Sequence, residues 1–489
     1  MTSSHLPVSI KFYFGLGQAA DYIKNFGFGT LLMLYYNQVL GLSGAYAGAA
    51  VSISIAFDAI SDPMVGSWSD GYRSRWGRRL PFMVGAAVPL GVTFYCLFMP
   101  PVGLNEFGLF LWLTSFAVLS RTALTFFNVP YYALGAEMTQ DYHERTQLVV
   151  IRTAFGIASN FLVIAIAWNF IFVQTPGNAT PQLTRAPYFP YALLSAVTMT
   201  LLMLACCRGT LRVASGLSGD PGPSRTFSFL QVYRDLYQSL HNHSFRSLFI
   251  GTLLFFIYAG THGALAMHLM TFYWQLDAKG IEYVQYGTIA GGILALPLVP
   301  MLNHHLEKKG TLYLGVIVGA LAGTGPVMLK LVHAMPTSPD TLVPVLVVLG
   351  VLGSMGGVAA GVTGASMMGD IADEHELESG SRREGVFFGC FNFASKCSGA
   401  AGTLIAGLAL DIIGFPVNSK PGMVPEPVLF HFGLVYGVVA IMMVLAIWVF
   451  LPYRLNKARH DEIVGELQRL RQDSLPGPEA VFLAEPGTI

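Results

Sequence analysis

Charge is what this sequence has least of. Only 11% of its 489 residues are Asp, Glu, Lys or Arg, against about 25% in a soluble domain. A chain so poor in charge cannot clothe a water-facing surface of its size. The charges also cancel, with Lys+Arg 28 against Asp+Glu 28, so a bulk electrostatic nucleic-acid binder is excluded. Cysteine is equally scarce. Cys96, Cys206, Cys207, Cys390 and Cys397 lie in apolar stretches with no CxxC spacing, which reads as small buried hydrophobes rather than disulfides or metal ligands. The opening MTSSHLPVSI lacks a basic n-region and a cleavage site, so no cleavable signal peptide is expected. No strand leads into the glycine runs GGILALPL (291–298) and GSMGGVAAGVTGA (353–365), and no Lys-Ser/Thr ends them. They read as close helix packing and hinges, not phosphate loops, and no ATP site is expected. No HExxH or nucleophile–base constellation suggests an enzyme, no cofactor is implied, and nothing resembles a repeated selectivity filter.

What is present is apolar sequence, 53% of the chain. A membrane-spanning helix needs about 20 mostly apolar residues. Runs of that kind occupy 11–40, 44–69, 80–100, 105–136, 145–172, 188–207, 246–272, 282–303, 310–333, 341–369, 385–413 and 428–452. The connections test the count. Arg73, Arg75, Arg78 and Arg79 follow the second run, Arg145 the fourth, and Arg208, Arg212, Arg225 and Arg234 the sixth. Lys308 and Lys309 follow the eighth, Arg382 and Arg383 the tenth, and Arg454, Lys457 and Arg459 the twelfth. The opposite loops hold scattered positives such as Arg185, Lys279 and Lys420. This alternation predicts an all-α, multi-pass protein of the cell inner (plasma) membrane, with twelve spans and both termini cytoplasmic. The expected units are a six-helix bundle over 1–207, a cytoplasmic linker over 208–245, a second bundle over 246–452 and a cytoplasmic tail over 453–489. GLSGDPGPSR reads as a flexible connection, FSFLQVYRDLYQSLHNH as a surface amphipathic helix, and the terminal SLPGPEAVFLAEPGTI as disordered.

The halves echo each other. The loop around Asp70–Arg75 matches MLNHHLEKKG, and EMTQDYHER (137–145) matches DIADEHELESGSRR (370–383). Acid-then-base loops at matching places suggest a duplicated six-helix unit whose ion pairs latch helix ends; plain topology signalling by the basic residues is the simpler reading.

Ionisable residues inside the spans are the informative ones, because each needs a partner or a cavity. Asp58 and Asp62 stand at i and i+4, on one face of the second span. Two carboxylates so close either bind a proton, hold a cation between them, or are capped by a nearby arginine as a structural pair. Arg121, Thr125 and Asn128 share a face of the fourth span, followed by Tyr131 and Tyr132, aromatic rings suited to stacking on a sugar. Asp21 and Lys24 are three apart and able to neutralise one another. Arg152 and Lys396 are solitary cations in apolar runs and so face a common cavity, with Asp21, Asp58 and Asp62 as their candidate partners. Tyr258, His262, His268 and Trp274 lie on or near the seventh span. A cavity histidine can relay protons, but a hydrogen-bonded helix contact is the reading preferred.

AFDAISDPMVGSWSDGYRSRWGRRLPFMVGA (56–86), GDIADEHELESGSRREGVFFGCFNFASKCSGA (369–400) and YYNQVLGLS (35–43) resemble the glycoside–pentoside–hexuronide:cation symporters, the melibiose-permease-like branch of the major facilitator transporters. The resemblance is specific at 56–86, looser at 369–400, and elsewhere one of topology. It implies alternating access, symport of a sugar, glycoside or related small solute with Na+ or H+, and no cofactor beyond that ion. It assigns Asp58, Asp62, Thr125 and Lys396 to cation coupling, with Asp58 and Asp62 as the sodium ligands if sodium is bound. It assigns Asp21 or its neighbour Tyr22, Asn128 and Arg152 to the substrate, and Tyr132 joins them as a candidate stacking ring. Two positions depart from the family. Asn128 is neutral where a relative has an acid. Arg121 stands where a small residue is ordinary, so it either pairs with Asp58 or Asp62 or awaits an anionic substrate; it is included among the substrate-site residues. The expected partners are the solute, the coupling cation and the bilayer, with the chain acting as a monomer. The competing reading on the same fold is a carrier or flippase of a lysolipid, drug or other amphiphile.

Overall fold

Helix starts in this chain are written as local chemistry. Asn105, Asp141, Asn242 and Asp277 each use a side-chain oxygen to accept the backbone N–H three residues on, at 2.8 Å in every case, so a first-turn donor is satisfied. The computed structural model describes residues 6–139, 141–217, 234, 237, 239–379, 384–453 and 455–473. The linker from Ser218 to Arg225, most of the amphipathic stretch after it, Arg382, Arg383, Arg454 and the segment from Ser474 onward lie outside the described residues.

The described elements are almost entirely helical. They are α1 (Val8–Phe26), α2 (Gly44–Gly71), α3 (Leu80–Phe98), α4 (Glu106–Glu137), α5 (Tyr142–Ile166), α6 (Tyr188–Gly216), α7 (His243–His268), α8 (Ala278–Leu331), α9 (Pro339–Ser379), α10 (Glu384–Ile412), α11 (Glu426–Phe450) and α12 (Lys457–Asp473). By length and composition, ten helices among the described residues are able to cross a membrane. The difference from the sequence count has two physical sources. The first apolar run is not one α-helix. After α1 it passes through a π-helical turn at Gly27–Leu31, a short α segment and a second π turn at Tyr35–Val39. The eighth and ninth runs are joined in α8, whose 54 residues would extend about 80 Å at 1.5 Å per residue. A bilayer core is about 30 Å thick. The helix breaks at Glu307, whose φ of 57° and ψ of 170° are non-helical.

The helices pack α1 on α5 and α6, α4 on α2 and α3, α7 on α10 and α11, and α8 on α9, while α2 runs along α10. At the α2–α10 crossing a Cβ on Gly407 would stand 2.2 Å from the Gly44 carbonyl oxygen and one on Gly48 would stand 2.8 Å from the Gly407 Cα. Only hydrogen at these positions permits such contact. Within the tail, Lys457–Asp473 forms α12. It packs on α9 with Ile463 and Leu467 buried.

The acid–base loops form ion pairs at matching places. Arg78 and Arg79 reach Glu137 at 2.9 Å, and Arg79 also reaches Asp70 at 2.5 Å. In the second half Lys308 reaches Asp370 at 2.7 Å. Each of these pairs lies within one half of the sequence. At the other end of the helices the halves touch. Asp411, at the end of α10, accepts from the Gly44 and Ala45 N–H groups at 2.7 and 2.9 Å. Gln38 bonds Pro416 and Ser419, and Trp168 donates to Gln285 at 2.8 Å.

Candidate functional site: an ion cluster beside a central cavity

α2 continues unbroken through Pro63, so the i, i+4 spacing holds and Asp58 and Asp62 share a face. Lys396 of α10 meets that face. Its ammonium donates to Asp58 Oδ2 at 2.9 Å and to Asp62 Oδ2 at 2.5 Å. Thr125 of α4 bridges the remaining oxygens, at 2.7 Å from Asp58 Oδ1 and 2.9 Å from Asp62 Oδ1. Three helices from both halves of the sequence thus converge on two carboxylates. The pair is not symmetric: the Asp58 side chain is 16% exposed and that of Asp62 35%, so Asp62 is the more accessible.

Arg121, one turn before Thr125, lies on the Asp58 side. Its Nη1 is 3.8 Å from Asp58 Oδ2. Its Nε donates to Ser54 Oγ at 3.1 Å, and its guanidinium lies 4.8 Å from the centre of the Phe28 ring. Of the two partners open to Arg121 in the sequence, the aspartate pair is the one it meets, through Asp58.

A cavity of about 540 Å³ opens beside this cluster, between α1, α5, α7 and α8; its lining includes Gln18, Asp21, Tyr22, Asn160, Met267 and Gln285. Asp21 accepts from Asn128 and from Gln18, each at 3.3 Å. The Asp21–Lys24 pair that the spacing allows does not form. Asp21 is engaged by two amides, and the Lys24 ammonium lies 5.3 Å over Phe28. Arg152 stacks 4.7 Å over the Tyr132 ring, a cation–π contact, rather than on one of the proposed carboxylates. Asp21, Tyr22, Asn128, Tyr132 and Arg152 therefore make one neighbourhood. Asp58, Asp62, Thr125, Arg121 and Lys396 make a second.

The histidines are helix contacts. His268 is fully buried and its Nε2 lies 3.0 Å from Asn37 Oδ1. The His262 ring lies between those of Tyr258 and Tyr436, at 4.0 and 4.3 Å. Three residues of the site escaped sequence reasoning. Gln18 precedes Asp21 by three positions and Ser54 precedes Asp58 by four, so helix spacing was signal enough for both. Phe28 carried no signal, because its π-turn setting is a backbone feature.

Buried charges converging beside a cavity, among helices of membrane length, are the arrangement of a polytopic membrane carrier. A family model described as "MFS/sugar transport protein" matches residues 13–457, and the chain belongs to that family. Among curated relatives, an uncharacterised symporter of Synechocystis is 27% identical over 97% of this chain and 99% of its own. The glucuronide carrier protein homolog of Escherichia coli is 26% identical over 92% and 94%. The sodium-dependent lysophosphatidylcholine symporter 1 of Gallus gallus is 23% identical over 97% and 92%. Among solved structures, a mutant of the nucleoside transporter NupG matches with a TM-score of 0.64 at 14% identity, over 92% of this chain and 99% of that one. That likeness establishes a common fold.

Proposed function

We propose that this membrane protein is a secondary active transporter that moves a sugar, glycoside or sugar acid together with a cation, Na+ or H+, by alternating access. The observation that carries the reading is the junction of Lys396 with Asp58, Asp62 and Thr125. It ties α10 to α2 and α4 through groups whose charge a bound cation would alter, so ion binding and the relative position of the halves are linked. Asp58, Asp62, Thr125 and Lys396 form the coupling site in this reading. Asp21, Tyr22, Asn128, Tyr132 and Arg152 form the substrate site, and Arg121, a substrate-site candidate by sequence, stands instead with the coupling site through Asp58. The architecture we propose is twelve spans in two six-helix bundles, 1–207 and 246–452, joined by the 208–245 linker. The arginine loops and both termini face the cytoplasm of an inner-membrane monomer, and the state described is sealed on the opposite side.

The lysolipid relative raises an amphiphile as the alternative cargo. The amides and carboxylate that line the cavity, Gln18, Asn160, Gln285 and Asp21, favour a solute rich in hydroxyls over an acyl chain. Uptake into energised membrane vesicles across a panel of sugars and sugar acids, with sodium and proton gradients imposed separately, tests the proposal. Accumulation of a panel member against its gradient is the expected result. Gradient-insensitive equilibration of every member, with uptake of lysolipid instead, would overturn it.

A further inference from the structure

A sodium ion between Asp58 and Asp62 would need several free oxygen ligands and a site with negative charge to spare. Neither is present. Lys396 holds the Oδ2 atom of each carboxylate, and the Thr125 hydroxyl, with one proton to donate, fills the space between the two Oδ1 atoms. The formal charges of Asp58 and Asp62 are matched by Lys396 and by Arg121, 3.8 Å from Asp58 Oδ2. Arg121 is not a free arm that swings in and out. Ser54, itself fully buried, accepts its Nε–H, and the buried Phe28 ring lies against its guanidinium plane. A guanidinium does not lose its charge in a protein, so this positive charge is permanent.

We propose that Arg121 is a tethered replacement for the coupling sodium ion, and that the native protein does not bind sodium at the aspartate pair. The inference rests on the symport reading above and narrows it. Of the two coupling ions only the proton remains, because it needs a single accepting oxygen and no ligand shell.

The magnitude follows from Coulomb's law. A fixed unit charge about 5 Å from the cation position, at an effective dielectric of about 20, weakens cation binding by at least about a hundredfold. The test is calorimetric titration of sodium chloride, with choline chloride as the ionic-strength control, into the purified full-length protein and three variants. The native protein and Arg121→Lys, which keeps the charge, are expected to show no saturable sodium binding. Arg121→Gln keeps a side chain able to bond Ser54 but carries no charge, and is expected to gain saturable binding that a second substitution, Asp58→Asn, removes. Saturable binding by the native protein that Asp58→Asn abolishes would overturn the proposal. So would an Arg121→Gln protein that elutes as a monodisperse peak and stays silent to sodium. No transported solute enters this measurement, so a failed uptake panel beside a sodium-gaining variant would count against the symport reading alone.

Discussion

Removing the carboxylate of Asp411 is expected to shift the protein toward opening at the end where the two halves meet. Ser43, the residue before α2, offers no side-chain cap to that helix. The first N–H groups of α2 are taken instead by Asp411, which comes from α10, at 2.7 and 2.9 Å. The cap therefore exists only while α2 and α10 are together at this end. Separation hands the two N–H groups to water. Loss of an N-terminal cap costs about 0.5–2 kcal/mol. Asp411 is exposed, so solvent screening places the effect near the middle of that range, at about 1 kcal/mol. That corresponds to a change of about fivefold in the ratio of closed to open populations. Gln38 and Asn37 bridge the same seam, which is why one substitution biases the equilibrium without abolishing closure. Spin labels at Val102 and Val417, both exposed, report the separation by pulsed dipolar spectroscopy. Asp411→Ala should enlarge the long-distance population by about that factor, and Asp411→Asn, which keeps an acceptor, by less. Distance distributions that superimpose for the alanine variant and the parent would show that the cap carries no conformational weight, and the reasoning would fail.

Two further outcomes are expected. Lys396→Met leaves Asp62 with no cation in contact and Asp58 with Arg121 alone. Breaking a fully buried pair costs about 3–5 kcal/mol; the partial exposure of this one reduces that to about 1–3 kcal/mol. A lowered melting temperature that Lys396→Arg largely restores would agree, and an unchanged one would not. Gly407→Val places a methyl-bearing carbon against the Gly44 carbonyl. Overpacking of that kind costs about 1–3 kcal/mol, so the variant should hold the α2–α10 end apart, read as faster labelling of a cysteine placed at Ser52, and labelling at the parent rate would refute the crossing.

Most of the apolar segments were legible because a spanning helix announces itself by length alone. The i, i+4 carboxylates of Asp58 and Asp62 were legible because helix geometry converts spacing directly into proximity. The meeting of Lys396 with that pair was legible for a different reason: a lone ammonium in an apolar run must find a carboxylate, and few exist. The same logic does not extend to Lys24, whose pairing with Asp21 the spacing allowed but did not require. Asp21 stood within reach on the same helix, but the amides of Asn128 and Gln18 had taken it, and an aromatic ring received the lysine. Arg152 likewise went to the Tyr132 face, because sequence inspection counts charges and overlooks rings as partners. Asp411 was opaque in principle. A carboxylate at one helix end capping another helix 367 positions away leaves no local trace. The α12 helix went unread because its buried face depends on α9, and the break at Glu307 fell where two apolar runs were correctly separated but the helix between them was not foreseen.

The π turns carry a consequence of their own. They end the first apolar run at Tyr35–Val39, extend α5 at Ala167–Ile171 and extend α7 at Leu269–Tyr273, with one more at Gly27–Leu31 inside the first run. In each, the N–H of the residue after the turn reaches back five positions, as Leu32 does to Gly27 and Trp274 to Leu269. Such a turn accommodates one residue more than an α-helical turn would, which acts as a phase slip of roughly 100° in the helical wheel downstream. Asp21 and Asn37 are therefore aimed independently, although one nearly continuous helix carries both: the first bonds Asn128, the second His268. A periodicity plot drawn through the whole run assigns one of them to the wrong face. It also follows that the run has two natural places to gain or lose a residue, where the slip, rather than the loop, absorbs the change in length. The chemistry at one end of the helix and the seal at the other can then vary in sequence without dragging each other out of register.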